Sequence, residues 1–250
     1  QSLDGAWDFR LDPDDVGVTE GWASAGAAFP DTIQVPFPWT SPRSGVDADT
    51  GDAGGIGWYR REVIVVPQIL EGRSRVHLVV GAADWHTTVY VNGVEVATHD
   101  NGYLPLRADL TDALIPGANA IVLRVRDPGN HEEYPHGKQG TPWYTNVAGV
   151  WQTVYLELTG ATVLTHLGLR PVPDRVGDFT LEARVQGKLA GCALRLYREG
   201  SDVPLLRQQV TESTITAAVS VPDLRPWSPE DPVRVVLEAR LKCFSGEDVV

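Results

Sequence analysis

Apolar and polar positions alternate along this chain in short runs separated by turn residues. Residues 58–66, Trp-Tyr-Arg-Arg-Glu-Val-Ile-Val-Val, are aromatic and β-branched, and Pro67 ends the run, which predicts a strand. Over residues 75–80, Val76, Leu78 and Val80 share one face, and His77, on the other, is read as structural. Residues 87–91 and 94–96 flank Asn92-Gly93, a pair that supplies the two positive-φ residues of a tight hairpin. Pro116-Gly117 leads into a strand expected over 119–125. Residues 151–158 alternate again, with Trp151, Thr153, Tyr155 and Glu157 opposing Gln152, Val154, Leu156 and Leu158. No stretch makes a convincing amphipathic helix. Short strands without helices between them predict antiparallel sandwiches rather than a parallel α/β sheet.

The rhythm breaks at Thr159-Gly160 and restarts, with strands expected over 163–170, 179–185, 193–197, 214–221 and 233–241. About ninety residues with this spacing fit a small immunoglobulin-like sandwich. Glu247-Asp248-Val249-Val250 begins one more strand and the sequence stops inside it, so either further chain is expected beyond or the domain ends frayed.

Composition narrows the classes of partner. A 250-residue chain with 42% hydrophobic residues has room for two cores. Its longest apolar runs, such as 63–66 and 76–80, fall far short of the ~20 residues of a membrane span. The net charge is −12, and it is uneven: residues 1–160 hold 10 basic against 21 acidic side chains, residues 161–250 hold 11 against 12. An acidic first half disfavours nucleic acid and anionic membrane, and neither is expected as a partner. Seven of the eight tryptophans (7, 22, 39, 58, 85, 143, 151) precede residue 161, and most are expected to anchor a core. Gln1-Ser2-Leu3-Asp4 carries no signal pattern, and cytoplasmic and secreted locations both stay open.

Several segments, taken in order, carry a resemblance. They are Leu3-Asp4-Gly5-Ala6-Trp7-Asp8-Phe9, Ile33-Gln34-Val35-Pro36-Phe37-Pro38-Trp39 and Gly57-Trp58-Tyr59-Arg60-Arg61. Next come Val89-Tyr90-Val91-Asn92-Gly93 with His99-Asp100-Asn101-Gly102-Tyr103, then Gly117-Ala118-Asn119 with residues 122–125, and Gly149-Val150-Trp151-Gln152-Thr153-Val154-Tyr155-Leu156-Glu157. This order resembles the N-terminal part of glycoside hydrolase family 2, the β-galactosidase, β-glucuronidase and β-mannosidase relatives. Arg225-Pro226-Trp227-Ser228-Pro229-Glu230-Asp231-Pro232 resembles a segment of that family's immunoglobulin-like domain.

The resemblance implies an all-β chain: a jelly-roll-like (galactose-binding-like) β-sandwich over 1–160, then an immunoglobulin-like β-sandwich over 161–250 with its last strand truncated. It implies the non-catalytic portion of a retaining exo-β-glycosidase, rimming the substrate site of a (β/α)8 barrel that lies outside this chain. The partners would be a carbohydrate β-glycoside, that barrel and a possible second copy, with no cofactor. A stand-alone carbohydrate-binding module and a structural or interaction sandwich are the rival readings.

Retaining hydrolysis needs two carboxyls about 5–5.5 Å apart. Glu132-Glu133 is the only adjacent glutamate pair, and extended neighbours point to opposite faces. Asp47, Asp49 and Asp52 share a Gly-rich loop but lack the distal glutamate of a calcium loop, so no metal is expected. Neither a Gly-x-Ser-x-Gly elbow nor histidines at metal-ligand spacing occur. The stretch expected to meet sugar is 130–146, where aromatic rings interleave with polar groups. His136-Gly137-Lys138-Gln139 and Trp143-Tyr144-Thr145-Asn146 resemble the family's rim motifs, with His136 and Asn146 standing where it has arginine. Lys138, Gln139, Trp143, Tyr144 and Asn146, with Asp49 from the Gly-rich loop, are the candidate substrate-binding residues. Cys192, in phase with Leu194 and Leu196, and Cys243, in phase with Leu237 and Leu241, both face the core. Two buried free thiols are the expectation; a disulfide is the alternative, since C and F strands of an immunoglobulin-like sandwich are antiparallel neighbours.

Overall fold

The computed structural model describes residues 1–250 except 25, 47, 49–53, 72–73, 130–133, 141, 245 and 250. The chain divides into two compact units, Gln1–Leu158 and Thr159–Val250.

The first unit contains β1 (Gly5–Leu11), β2 (Asp31–Val35), β3 (Gly55–Val65), β4 (Ser74–Val80), β5 (Ala83–Asp84), β6 (His86–Val91), β7 (Val94–Asp100), β8 (Leu106–Asp109), β9 (Gly117–Asp127), β10 (Gly149–Val150) and all but the last two residues of β11 (Val154–Gly160). A six-stranded sheet runs β2-β1-β3-β9-β6-β7. Facing it are a three-stranded sheet, β11-β4-β8, and the short pair β10-β5. The period of two explains the packing. Phe9, Tyr59, Val63, Val89, Val91, Ile121 and Leu123 point inward from the large sheet, and Val76, Leu78, Val80, Leu106, Ala108 and Val154 meet them from the small one. Asn92 and Gly93 take the positive φ values, 52° and 86°, that the hairpin turn requires. The Asn92 amide also donates to Asn119 Oδ1 at 2.8 Å, which ties this turn to the start of β9.

The outer face of the large sheet is covered as well. Residues 12–24 and 26–29 fold back over it, so Trp22, Ile56, Trp58 and Val122 form a second apolar layer. Buried Asp12 organises this cover: its carboxylate accepts from Val16 N, Gly17 N and Trp58 Nε1, each at 2.9 Å. Gly17 is required where the backbone crosses the indole, because a Cβ there would lie 2.6 Å from Trp58.

At the near end of the unit, Leu3 N donates to Val154 O and Val154 N to Asp4 Oδ1. The opening residues are thereby joined to β11. This pairing explains why the strand expected over 151–158 begins only at Val154. Trp151 N and Gln152 N both turn to Ala82 O, and Thr153 Oγ1 donates to Asp4. Pro67 ends β3, as expected, and also opens a short helix, α1 (Pro67–Glu71), at the position where a missing N–H costs nothing.

The second unit contains β12 (Val163–Pro171), β13 (Asp178–Gln186), β14 (Ala193–Arg198), β15 (Leu206–Gln209), β16 (Thr214–Ser220), β17 (Leu237–Cys243) and β18 (Gly246–Val249). Its sheets are β12-β13-β16 and β15-β14-β17-β18. Between them lies an aliphatic core of Leu181, Ala183, Val185, Ile215 and Val219 against Leu194, Leu196, Ala239 and Leu241. The strand expected from 233 starts at Leu237, because Ser228, Asp231 and Val233 use their backbone groups in a local turn. The two cysteines are not free thiols. The ladder sets Ala193 opposite Lys242, so the next pair outward is Cys192 and Cys243, and they form a disulfide. Both units are β-sandwiches, and no helix among the described residues is long and apolar enough to cross a membrane.

Candidate functional site

The polar, aromatic stretch that follows β9 returns to the first unit through a chain of anchors. Thr40 Oγ1 donates to Asn146 O at 2.8 Å, and Trp39 N to Ala148 O at 3.1 Å. Gly149 then passes over the core aromatics with φ +92°, where a Cβ would collide with Tyr59 Oη and lie 2.5 Å from Trp39. The Tyr59 hydroxyl accepts from Val150 N at 3.2 Å, and burial pushes its pKa upward. Only glycine admits this approach. It lets β10 pair with β5, setting Gly149 opposite Asp84.

Asp84 thereby stands at the base of a groove of about 410 Å³. Tyr103, Tyr144 and Trp151 contribute aromatic wall, and His136, Lys138 and Gln139 contribute polar groups. Trp151 is fixed by its indole N–H, which donates to Gly102 O at 2.8 Å. Gly102 leaves room for the carboxyl, since a Cβ there would come within 2.9 Å of Asp84 Oδ1. Gln139 clamps the groove floor with both ends of its amide. Its Nε2 donates to Asp84 Oδ2 at 3.3 Å and its Oε1 accepts from Val147 N at 2.5 Å. Burial pushes Asp84 up to about 6, aided by the neighbouring Asp127 charge and opposed by the Gln139 hydrogen bond and by His136. Around pH 6 this carboxyl is therefore present in both forms, and near neutrality it acts mainly as a hydrogen-bond acceptor, a role that ligand hydroxyls can satisfy.

The candidate residues fall into different places. Lys138 and Tyr144 line the groove, and so does Gln139, which also holds it in shape. Trp143 is 67% exposed and lies beside the groove rather than in its lining, with Lys138 Nζ 5.5 Å from its ring. Asn146 is buried beneath, where Nδ2 donates to Asp127 Oδ2 at 3.0 Å. Asp127 accepts a further bond from Gly129 N, and burial raises its pKa. Asp49 lies outside the described residues, as do Asp47, Asp52, Glu132 and Glu133. Asp84, Tyr103 and Trp151 were not candidates from the sequence. No motif marks Asp84, and its partner strand is some 65 residues away. The alternation around Trp151 pointed to an ordinary strand position. Asp84 is the only carboxylate among the described groove-lining residues, so the groove does not itself hold the carboxyl pair that retaining hydrolysis uses.

The first unit is thus of the β-sandwich class, with a groove that sets aromatic walls beside polar groups. The family model described as "Glycosyl hydrolases family 2, sugar binding domain" matches residues 1–157, and the chain belongs to glycosyl hydrolase family 2. Similar curated proteins include the β-glucuronidase of Paenibacillus borealis, 37% identical over 139 residues, which are 55% of this chain and 23% of that protein. The Homo sapiens β-glucuronidase is 30% identical over 191 residues, 66% of this chain and 29% of the relative. The chain thus spans about a quarter to a third of the curated relatives it matches. Among solved structures, an uncultured Clostridium sp. β-glucuronidase superposes with TM-score 0.73 at 20% identity, covering 100% of this chain and 43% of the other. The β-glucuronidase of Ruminococcus gnavus in complex with D-glucaro 1,5-lactone gives TM-score 0.74 at 20% identity, covering 100% and 44%. These superpositions show the shared fold.

Proposed function

We propose that this chain is the non-catalytic sandwich portion of a retaining exo-β-glycosidase of the β-glucuronidase type. In this reading the first unit is the jelly-roll-like sugar-binding domain and the second an immunoglobulin-like domain. The catalytic carboxyl pair belongs to a (β/α)8 barrel outside this chain. The groove supports the reading most directly: one carboxyl, an amide, an ammonium and three aromatic rings are matched to a glycoside, yet a second carboxyl is missing from its described lining. Here Lys138, Gln139 and Tyr144 contact the glycoside at the substrate rim, Trp143 flanks it, and Asn146 acts beneath by holding Asp127.

The purified 250-residue chain should not hydrolyse nitrophenyl β-glycosides, and the same glycosides should shift the NMR signals of residues around Asp84 and Tyr144 only at millimolar concentrations. Measurable turnover would overturn the non-catalytic assignment. Sub-millimolar binding by calorimetry would favour a stand-alone carbohydrate-binding module, for which the exposed Trp143 and Tyr144 rings offer a platform.

A further inference from the structure

The second unit holds 92 residues around a core with no aromatic ring in its fully buried cluster; Leu, Val, Ile and Ala fill it, together with Cys192. Cys192 is 1% exposed, and its partner Cys243 is half-buried. They are the only cysteines of the chain. Their bond encloses a 51-residue separation that contains β14, β15, β16 and β17, four of the unit's seven strands. It also sits where one whole sheet is gathered. Cys192 O accepts from Val210 N just beyond the end of β15, and Cys243 pairs with Gly246 at the start of β18. Gly191, at φ +74°, brings the backbone under the Phe244 ring beside the bond, where a Cβ would collide with that ring.

We propose that the Cys192–Cys243 disulfide is the closure on which the second unit's stability depends, and that this protein matures and works in an oxidising, extracytoplasmic compartment. A cross-link over so many residues removes much of the unfolded chain's freedom, and an aliphatic core of this size has little surplus to replace it. The bond forms by exchange with a disulfide-carrying oxidant. One cysteine thiolate attacks the oxidant's disulfide and expels a thiolate; the second then attacks the mixed disulfide, and the oxidant leaves as a dithiol. Two protons and two electrons leave the protein. A structural disulfide anchored in a core, as this one is through Cys192, resists the glutathione pool, and such bonds are made outside the reducing cytosol.

The test uses the full chain, oxidised and reduced, with no substitution needed. Intact mass after alkylation should show no labelled thiol before reduction and two afterwards. The bridge should survive overnight in glutathione buffer of cytosol-like ratio. Thermal unfolding is then followed by two probes. Fluorescence is carried mainly by the first unit, whose Trp7, Trp39 and Trp58 are buried, while the second unit's one tryptophan, Trp227, is exposed; calorimetry reports both. Reduction should lower the second unit's transition by roughly 15–25 °C and leave the fluorescence transition in place. Free thiols in air-matured protein, or an unmoved second transition, would overturn the closure. Reduction by the glutathione buffer would overturn the compartment. Joint movement of both transitions would overturn the confinement of the effect to the second unit. A Cys192→Ala/Cys243→Ala chain should reproduce the reduced profile.

Discussion

In the first unit Trp7, Phe9, Trp39 and Tyr59 fill the space between the sheets, and Trp22 and Trp58 add a layer on the outer face. In the second unit the same architectural problem is met with small aliphatic side chains and one covalent bond. Large rings bury much apolar area per residue and lock against one another, as in the edge-on contact of Phe9 with Tyr59 at 4.9 Å. They also give the first unit a rigid surface from which a groove can be built, because Trp39 and Tyr59 are the rings over which Gly149 passes. The second unit carries no comparable cluster, and its cross-link acts on the unfolded chain rather than on local packing. A sandwich can therefore be secured from inside its core or through its denatured state, and only the former shapes a site.

The most forceful way to break this comparison is Trp39→Ala. It should cost the first unit about 3–5 kcal/mol in chemical denaturation followed by fluorescence. It should also shift NMR signals across 146–150, while the second unit's transition stays in place. Reduction of the disulfide is the mirror experiment, expected to cost about 4 kcal/mol and to be confined to the second unit.

Asp84→Asn sharpens the contrast within the first unit. Burial lifts the Asp84 pKa from 3.8 to about 6. The stability contributed by this group is therefore fully present below about pH 4 and is lost as pH rises through about 6. The charged form is penalised by burial and by Asp127, while Gln139 and His136 partly offset that. A neutral amide at this position escapes the penalty, so the variant should gain on the order of 2 kcal/mol over wild type at pH 8 and nothing at pH 4, read from urea midpoints. Trp143→Ala should be the mildest change. The ring is 67% exposed and meets Lys138 only across 5.5 Å, so stability should fall by less than about 1 kcal/mol. Loss of fluorescence quenching by added glycoside would report its place at the groove.

Much of the strand framework was legible in the residues, because period-two alternation and Asn92-Gly93 are local signals. The β5–β10 pair was not, since two-residue strands leave no periodicity to read. The site divided along the same line. Lys138, Gln139, Trp143 and Tyr144 stood out as polar and aromatic neighbours in sequence. Asp84, Tyr103 and Trp151 join them only through tertiary pairing, with Gly149 and Gly102 allowing the approach. Asn146 looked equally exposed in sequence, yet its amide turns inward to Asp127. The disulfide had the same character: phase placed both sulfurs on the core face, but only the register of β14 against β17 brings them into contact.

The junction of Leu3 and Asp4 with Val154 has a consequence for the chain as it leaves the ribosome. The first residues of this unit to emerge must wait for nearly its last. Until about residue 156 is outside the exit tunnel, the apolar faces of β1 and β3 have no opposing β11, and the unit cannot close. Synthesis thus imposes an interval of exposed sheet in which a holding chaperone has most to bind. A nascent chain stalled before residue 150 should stay protease-sensitive throughout, and one stalled well beyond residue 190 should protect the whole first unit at once.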